Sequence, residues 1–374
     1  MTRYPDLNTP ARILLGPGPS MVHPRVLRAM AHPLVGHLDP LFITLMNEVQ
    51  DLLRDVFQTK NSLTIPVSGT GSAGMEAAVC NFVEPGDSVL IGVNGYFGER
   101  LCDMAGRYGA EVRRLERPWG QVFDPAEIDA ALAKKPAKLV ALVHAETSTG
   151  ARQPLEGVAD IVHRHGGLLI VDCVTSLGGV PLKIDEWDID IAYSGTQKCL
   201  SCPPGLAPLT VGHRGRDSLR ARRTKVANWY LDLTMIESYW GSNRTYHHTA
   251  PISMNFALRE ALRIVEEEGL EKRWERHAAN ASEMWEGLEA LGLKLIVPAA
   301  HRLPSLTTVA VPDGVDEAAI RRRLLDEYNV EIAGGLGAFK GKAWRIGLMG
   351  YSSRRENIVV LLGALERLLG ISNP

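Results

Sequence analysis

The feature that most restricts the fold is a series of short apolar runs, each closed by a polar cluster. Residues 62–68 lead into Gly69-Thr70-Gly71, and 88–93 end at Asn94-Gly95. Residues 138–143 end in His144-Ala145-Glu146-Thr147-Ser148-Thr149-Gly150, and 168–171 end at Asp172. Helical spacing separates several of these runs, for example around 155–165. Continuous apolar runs of this length read as strands buried on both faces, and alternation with helices implies an α/β fold with a mostly parallel sheet. Such sheets build their sites at the carboxyl ends of the strands. A further short strand at 190–193 delivers Ser194-Gly195-Thr196-Gln197-Lys198. One strand end thus offers a carboxylate, Asp172, and a nearby one an amine, Lys198. Pyridoxal phosphate needs that pair: a lysine to form a Schiff base and an acid to keep its ring nitrogen protonated. The pair alone does not identify a cofactor, because strand-end aspartates commonly cap helices and loop lysines are commonly solvated.

Gly69, Gly71 and Gly74 fit Gly-x-Gly-x-x-Gly between a strand and a helix expected over 75–82. That pattern fits a dinucleotide or a single phosphate, since glycines admit close backbone approach and a helix N-terminus attracts anions. The next strand ends at Asn94, where a dinucleotide site would place an acid for the ribose. Phe97 reads either as an ordinary buried aromatic or as a ring stacked on a flat ligand. His247-His248 and the Cys199-x-x-Cys202 pair lack the further ligands that a zinc site requires, so no metal is expected.

Length and charge narrow the class. The chain has 374 residues, 22% of them charged, with a formal net charge of −2. This gives no electrostatic basis for binding nucleic acid or a membrane surface. Arginines in 213–225 lack interleaved aromatics and read as a solvated face. An odd number of cysteines, five, scattered along the chain suits a reducing, cytoplasmic compartment. Residues 1–8 lack the apolar core of a signal peptide, and 371–374 are not a peroxisomal address. Three segments are expected: an extended one at 1–20, a large domain at 21–253, and a small α+β domain at 254–374. In the large domain, 40–57 has helical spacing, 206–211 reads as an edge strand, and 227–255 reads as irregular. In the small domain, helices are expected at 256–268, 271–291, 316–328 and 354–369. Strands are expected there at 294–297, 305–311, 330–333 and 343–350. Arg345 interrupts the last of these, as a structural ion pair or as a fork for a carboxylate.

Taken together the motifs resemble the class V aminotransferases of fold type I, and within them the alanine–glyoxylate and serine–glyoxylate/serine–pyruvate aminotransferases. The likeness rests on Leu15-Gly16-Pro17-Gly18-Pro19-Ser20, Ser68 to Ser72, Glu84-Pro85-Gly86-Asp87, Asn94-Gly95, Val171-Asp172, Ser194 to Lys198, Tyr246 to Thr249, Gly334 to Gly337, and Arg345 to Leu348. It implies a seven-stranded large-domain sheet and pyridoxal 5'-phosphate held by Lys198, with Asp172 on the ring nitrogen. It further implies Phe97 stacked on the ring, although the animal relatives have tryptophan there. Gly71, Ser72 and Gln197 would take the phosphate, with Tyr246 and Thr249 reaching in from the second subunit of a homodimer. Ser72 stands where those relatives have histidine. Thr147 would lie near the ring oxygen, and Arg345 would clamp the substrate carboxylate. The implied reaction is a ping-pong exchange between alanine or serine and glyoxylate or pyruvate. With one evident carboxylate clamp, small monocarboxylic partners are expected ahead of glutamate or aspartate. The rivals are a lyase or desulfurase of the same fold, which wants a mobile cysteine, an NAD-dependent dehydrogenase, and a catalytically inactive homologue.

Overall fold

The computed structural model describes Tyr4 and residues 6–371. The expectations for the remaining terminal positions lie outside the described residues. Seven strands form the main sheet, ordered Leu63–Ser68, Leu206–Val211, Ile191–Tyr193, Leu168–Asp172, Leu139–Val143, Ser88–Val93, Glu111–Glu116. Six point the same way, and Leu206–Val211 runs against both of its neighbours. Outside Glu111–Glu116, nearly all residues of these strands are buried, as the unbroken apolar runs require.

Several sequence expectations change here. Leu206–Val211 is not the edge strand: all six residues are buried, and it pairs in full register with Leu63–Ser68 on its outer side. Leu63–Ser68 takes that edge and packs against helix Pro40–Phe57. Glu111–Glu116 forms the opposite edge, and its charged residues hid it from a search for apolar runs. The stretch 227–255 is not wholly irregular, because Asp232 caps a helix over Leu233–Trp240 that buries Tyr239 and Trp240.

A second apolar cluster joins Leu15, Leu288, Leu324, Trp344, Ile346 and Leu365 among others. Its sheet has three antiparallel strands, ordered Leu306–Ala310, Ala343–Gly347, Ala333–Gly334. The strand expected at 294–297 is only a bridge between Leu295 and Val309. The one expected at 330–333 divides, its first half, Val330–Glu331, pairing in parallel with Ile13–Leu14. The N-terminal segment is thereby stitched to the second cluster, with Leu15 fully buried and its carbonyl accepting from the Gly347 N–H at 2.7 Å. Helix Ile252–Glu268 buries Phe256, Leu258, Leu262 and Val265 in the first cluster. Among the described residues, no helix is long and apolar enough to cross a membrane.

Candidate active site

Asp172 ends its strand, buried, at the centre of the main sheet. One carboxylate oxygen accepts from the Val174 N–H and the other from the Tyr193 hydroxyl, both at 2.9 Å. Burial pushes its pKa up to about 6, against the pull of those two bonds. A cation placed beside it would reverse that shift. Lys198 is buried as well, and its Nζ donates to the Pro17 carbonyl of the N-terminal segment. Burial, helped by the Arg345 and Arg100 charges, lowers its pKa to about 8. Asp172 and Lys198 line one cavity of about 180 Å³. A buried amine of this kind loses its proton at milder pH than an exposed one. Cofactor capture by the apoprotein therefore speeds up as pH rises through about 8 and levels off above it. Stopped-flow absorbance would check this. An ordinary exposed lysine would keep accelerating towards pH 10.4 or so.

Gly71, Ser72, Phe97 and Gln197 line the same cavity. Helix Gly71–Phe82 starts earlier than the spacing of its apolar residues suggested, so its first turn faces this space. Thr70, at the N-cap, makes no side-chain capping bond. Gly69 precedes it at φ +142°, and a Cβ there would stand 2.5 Å from the Cβ of Ala73. The Gln197 Oε1 is buried without a hydrogen-bond partner. An uncapped helix N-terminus suits a phosphate, to which Gln197 could donate only through its side-chain NH2, and an amine beside a carboxylate suits a pyridine aldehyde. The residues present therefore fit pyridoxal phosphate.

Thr147 and Arg345 lie close to each other. Arg345 Nη1 donates to the Thr147 carbonyl at 3.2 Å, and its Nε to the Gly334 carbonyl at 2.8 Å. The Thr147 hydroxyl pairs with that of Thr175 at 2.5 Å. Arg345 is buried, and burial lowers its pKa to about 10. Among the described residues no carboxylate lies within salt-bridge distance of it, and the Glu146 charge acts on it only from further away. Tyr246 and Thr249 do not join the cavity within one chain. Both are exposed, their hydroxyls 3.4 Å apart.

Four contributors escaped the sequence reading. Arg100 lines the cavity, donates to Ser72 Oγ at 3.0 Å and lies 4.9 Å over the Phe97 ring. Helical i,i+3 spacing from Phe97 could have found it. Tyr193 holds Asp172. Glu146, buried, accepts from the Phe97 N–H at 3.1 Å and from the Ser148 hydroxyl at 2.6 Å, which anchors the aromatic turn. Gly18, at φ +109°, packs on the lysine: a Cβ there would fall 2.7 Å from Lys198 Nζ. The Gly18→Ala variant should lose activity by on the order of 10²-fold, because an Å-scale misplacement of a reacting group costs that much. Steady-state assays on folded protein would show it.

Comparison with known proteins decides the family. The aminotransferase class-V family model matches residues 13–356. The chain belongs to the class V aminotransferases. It is 44% identical to the (S)-ureidoglycine–glyoxylate transaminase of Bacillus subtilis (strain 168), over 97% of this chain and 92% of that one. It is 42% identical to the alanine–glyoxylate aminotransferase of Callithrix jacchus, over 97% and 89%. A crystal structure of alanine–glyoxylate aminotransferase from Nostoc sp. superposes with a TM-score of 0.97 at 58% identity, covering 98% of each chain. Class V aminotransferases are pyridoxal phosphate enzymes of fold type I, and they exchange amino groups between amino acids and keto acids. Family membership sets the dehydrogenase alternative aside. The desulfurase alternative loses its support too, because all five cysteines are buried and unpaired and burial pushes their thiols up.

Proposed function

We propose that this aminotransferase moves an amino group from alanine or serine to glyoxylate, with pyruvate as a further acceptor, so that the products are glycine or alanine and the matching keto acid. The observation that carries the substrate class is Arg345: a buried guanidinium bonded only to backbone carbonyls is poised for an external carboxylate. Arg100, which lines the cavity, donates to Ser72 and lies over the Phe97 ring. One free clamp favours substrates with one carboxylate. The names of two relatives, glyoxylate in both, support the acceptor.

Pyridoxal phosphate supplies an aldehyde that exchanges the amino group and a ring that accepts electrons. Lys198 anchors it covalently. Lys198 Nζ would be the base that takes the substrate's α-proton and the acid that gives it back. Asp172 would keep the ring nitrogen protonated, and Phe97 would stack on the ring. Gly71, Ser72 and Gln197 hold the phosphate, and Thr147 serves the ring oxygen. The exposure of Tyr246 and Thr249 supports a homodimer in which each subunit lends these two hydroxyls to the other's phosphate. The division at residues 20 and 253 is functional on this reading: 1–20 brings the Pro17 carbonyl to Lys198, 21–253 brings the cofactor residues, and 254–374 brings Arg345. Five unpaired thiols support a cytoplasmic location.

Steady-state rates for alanine, serine, (S)-ureidoglycine, glutamate and aspartate, each with glyoxylate and pyruvate, test the reading. A preference for dicarboxylic donors would contradict it. The Arg345→Gln variant should lower kcat/KM for alanine by on the order of 10²-fold, mainly through KM, since one charged partner of a desolvated pair is removed.

A further inference from the structure

The adjacent histidines 247 and 248 have no place in the chemistry above, yet both rings are fully engaged. His247 is buried and stacks on Trp229, ring centroids 4.5 Å apart and 25° from parallel. Its Nε2 lies 3.2 Å from the Trp229 carbonyl, and its Nδ1 lies 2.7 Å from His248 Nδ1. His248 Nε2 lies 2.7 Å from the Ser68 hydroxyl. A carbonyl can only accept, so the proton of neutral His247 sits on Nε2 and its Nδ1 accepts. His248 must then donate from Nδ1, and its Nε2 accepts from the Ser68 hydroxyl. Every imidazole nitrogen is used, which leaves none for a metal. The chain of bonds has one direction, from Ser68 through both rings to the Trp229 carbonyl. Burial lowers His248 to about 4, consistent with a neutral ring.

The two ends of this relay matter. Ser68 is the last residue of its strand, directly before the Gly69–Ser72 turn of the cofactor cavity. The rings sit between Tyr246 and Thr249, whose side chains face outward. Fixing both rings fixes the backbone that carries those two hydroxyls.

We propose that Ser68, His248 and His247 are positioning residues: their relay ties the loop that offers Tyr246 and Thr249 to the partner's phosphate onto the strand end that carries the chain's own phosphate turn. This rests on the shared-site reading above. In the assembled dimer the order of one subunit's cofactor turn is thus passed to the loop serving the other subunit.

The test is equilibrium binding of pyridoxal phosphate and of pyridoxal, which lacks the phosphate, to apoprotein of the wild type, Ser68→Ala and His248→Phe. Losing one net hydrogen bond from the relay should weaken pyridoxal phosphate binding by roughly fivefold to tenfold. Pyridoxal binding should stay at the wild-type value. Nitrogen-15 shifts of the wild-type imidazoles should place the protons on His247 Nε2 and His248 Nδ1. Equal losses for both ligands, no loss for either, or reversed tautomers would overturn the proposal. Tyr246→Phe and Thr249→Val separate the two readings. If these leave pyridoxal phosphate affinity unchanged, the shared site itself fails. If they lower it while Ser68→Ala and His248→Phe do not, only the relay fails.

Discussion

Lys198→Ala should lower kcat for transamination by about 10⁴-fold or more, while the fold and the substrate affinity of the loaded protein survive. A positioned general base contributes 10²–10⁴ by itself, and on the proposed reading this residue would also anchor the cofactor. Its surroundings prepare it for both roles: burial lowers its pKa to about 8, and the Pro17 carbonyl and the Gly18 backbone restrict where the amine can lie. Removing the side chain opens space in a cavity that already exists, so the loss of stability should be small. Small primary amines added to the variant should recover part of the rate, because they supply a base without the tether. A variant retaining a tenth of wild-type kcat would show that another group moves the proton.

Asp172→Asn should reduce kcat by on the order of 10²–10³-fold with little change in KM. The amide is nearly isosteric and can still accept from the Val174 N–H, so the local geometry holds. What disappears is the negative charge facing the ring nitrogen, an electrostatic contribution of the size expected for a preorganised group in a dry site. Asp172→Glu keeps the charge and should recover part of the rate. A pH signature accompanies the charge. Because the folded pKa is raised from 3.8 to about 6, the apoprotein binds more protons at this group than the unfolded chain does between those values. Stability from this residue is present below about pH 4 and is lost as pH rises through about 6. A protonated ring nitrogen paired with the carboxylate, as proposed, would cancel that loss. Thermal melts should therefore show the cofactor stabilising the protein more at pH 7 than at pH 5. Wild-type kcat in the Asp172→Asn variant would refute the assignment.

Much of this site could be read from the sequence because α/β geometry converts order along the chain into position. An acid that closes a buried run must lie at a sheet's carboxyl edge, and neighbouring strands bring Lys198 to Asp172. Lost to the sequence were features set by contacts between distant segments. No local pattern shows that Gly18 presses on Lys198, or that Leu15 belongs to the core of the C-terminal strands. Glu111–Glu116 escaped because an edge strand half open to solvent can carry charges that mask its pairing. The inner position of Leu206–Val211 is not legible, because apolar content reveals burial and not which neighbour covers the outer side. Arg100 is not legible because a charged helix residue looks solvated until the fold encloses it, and the strand-end position of Glu146 does not show that it anchors the Phe97 turn. Motif resemblance supplied the role of Tyr246 and Thr249. Nothing in a single chain brings these two to the cavity.

The central claim is that Lys198 carries the cofactor. Borohydride reduction of the pyridoxal phosphate-loaded protein, followed by proteolysis and mass spectrometry, tests it most directly. A single phosphopyridoxyl group on the peptide containing Lys198, absent from Lys198→Ala, is the predicted result. Stoichiometric labelling of a different lysine, or none at all in a protein that transaminates, would contradict it.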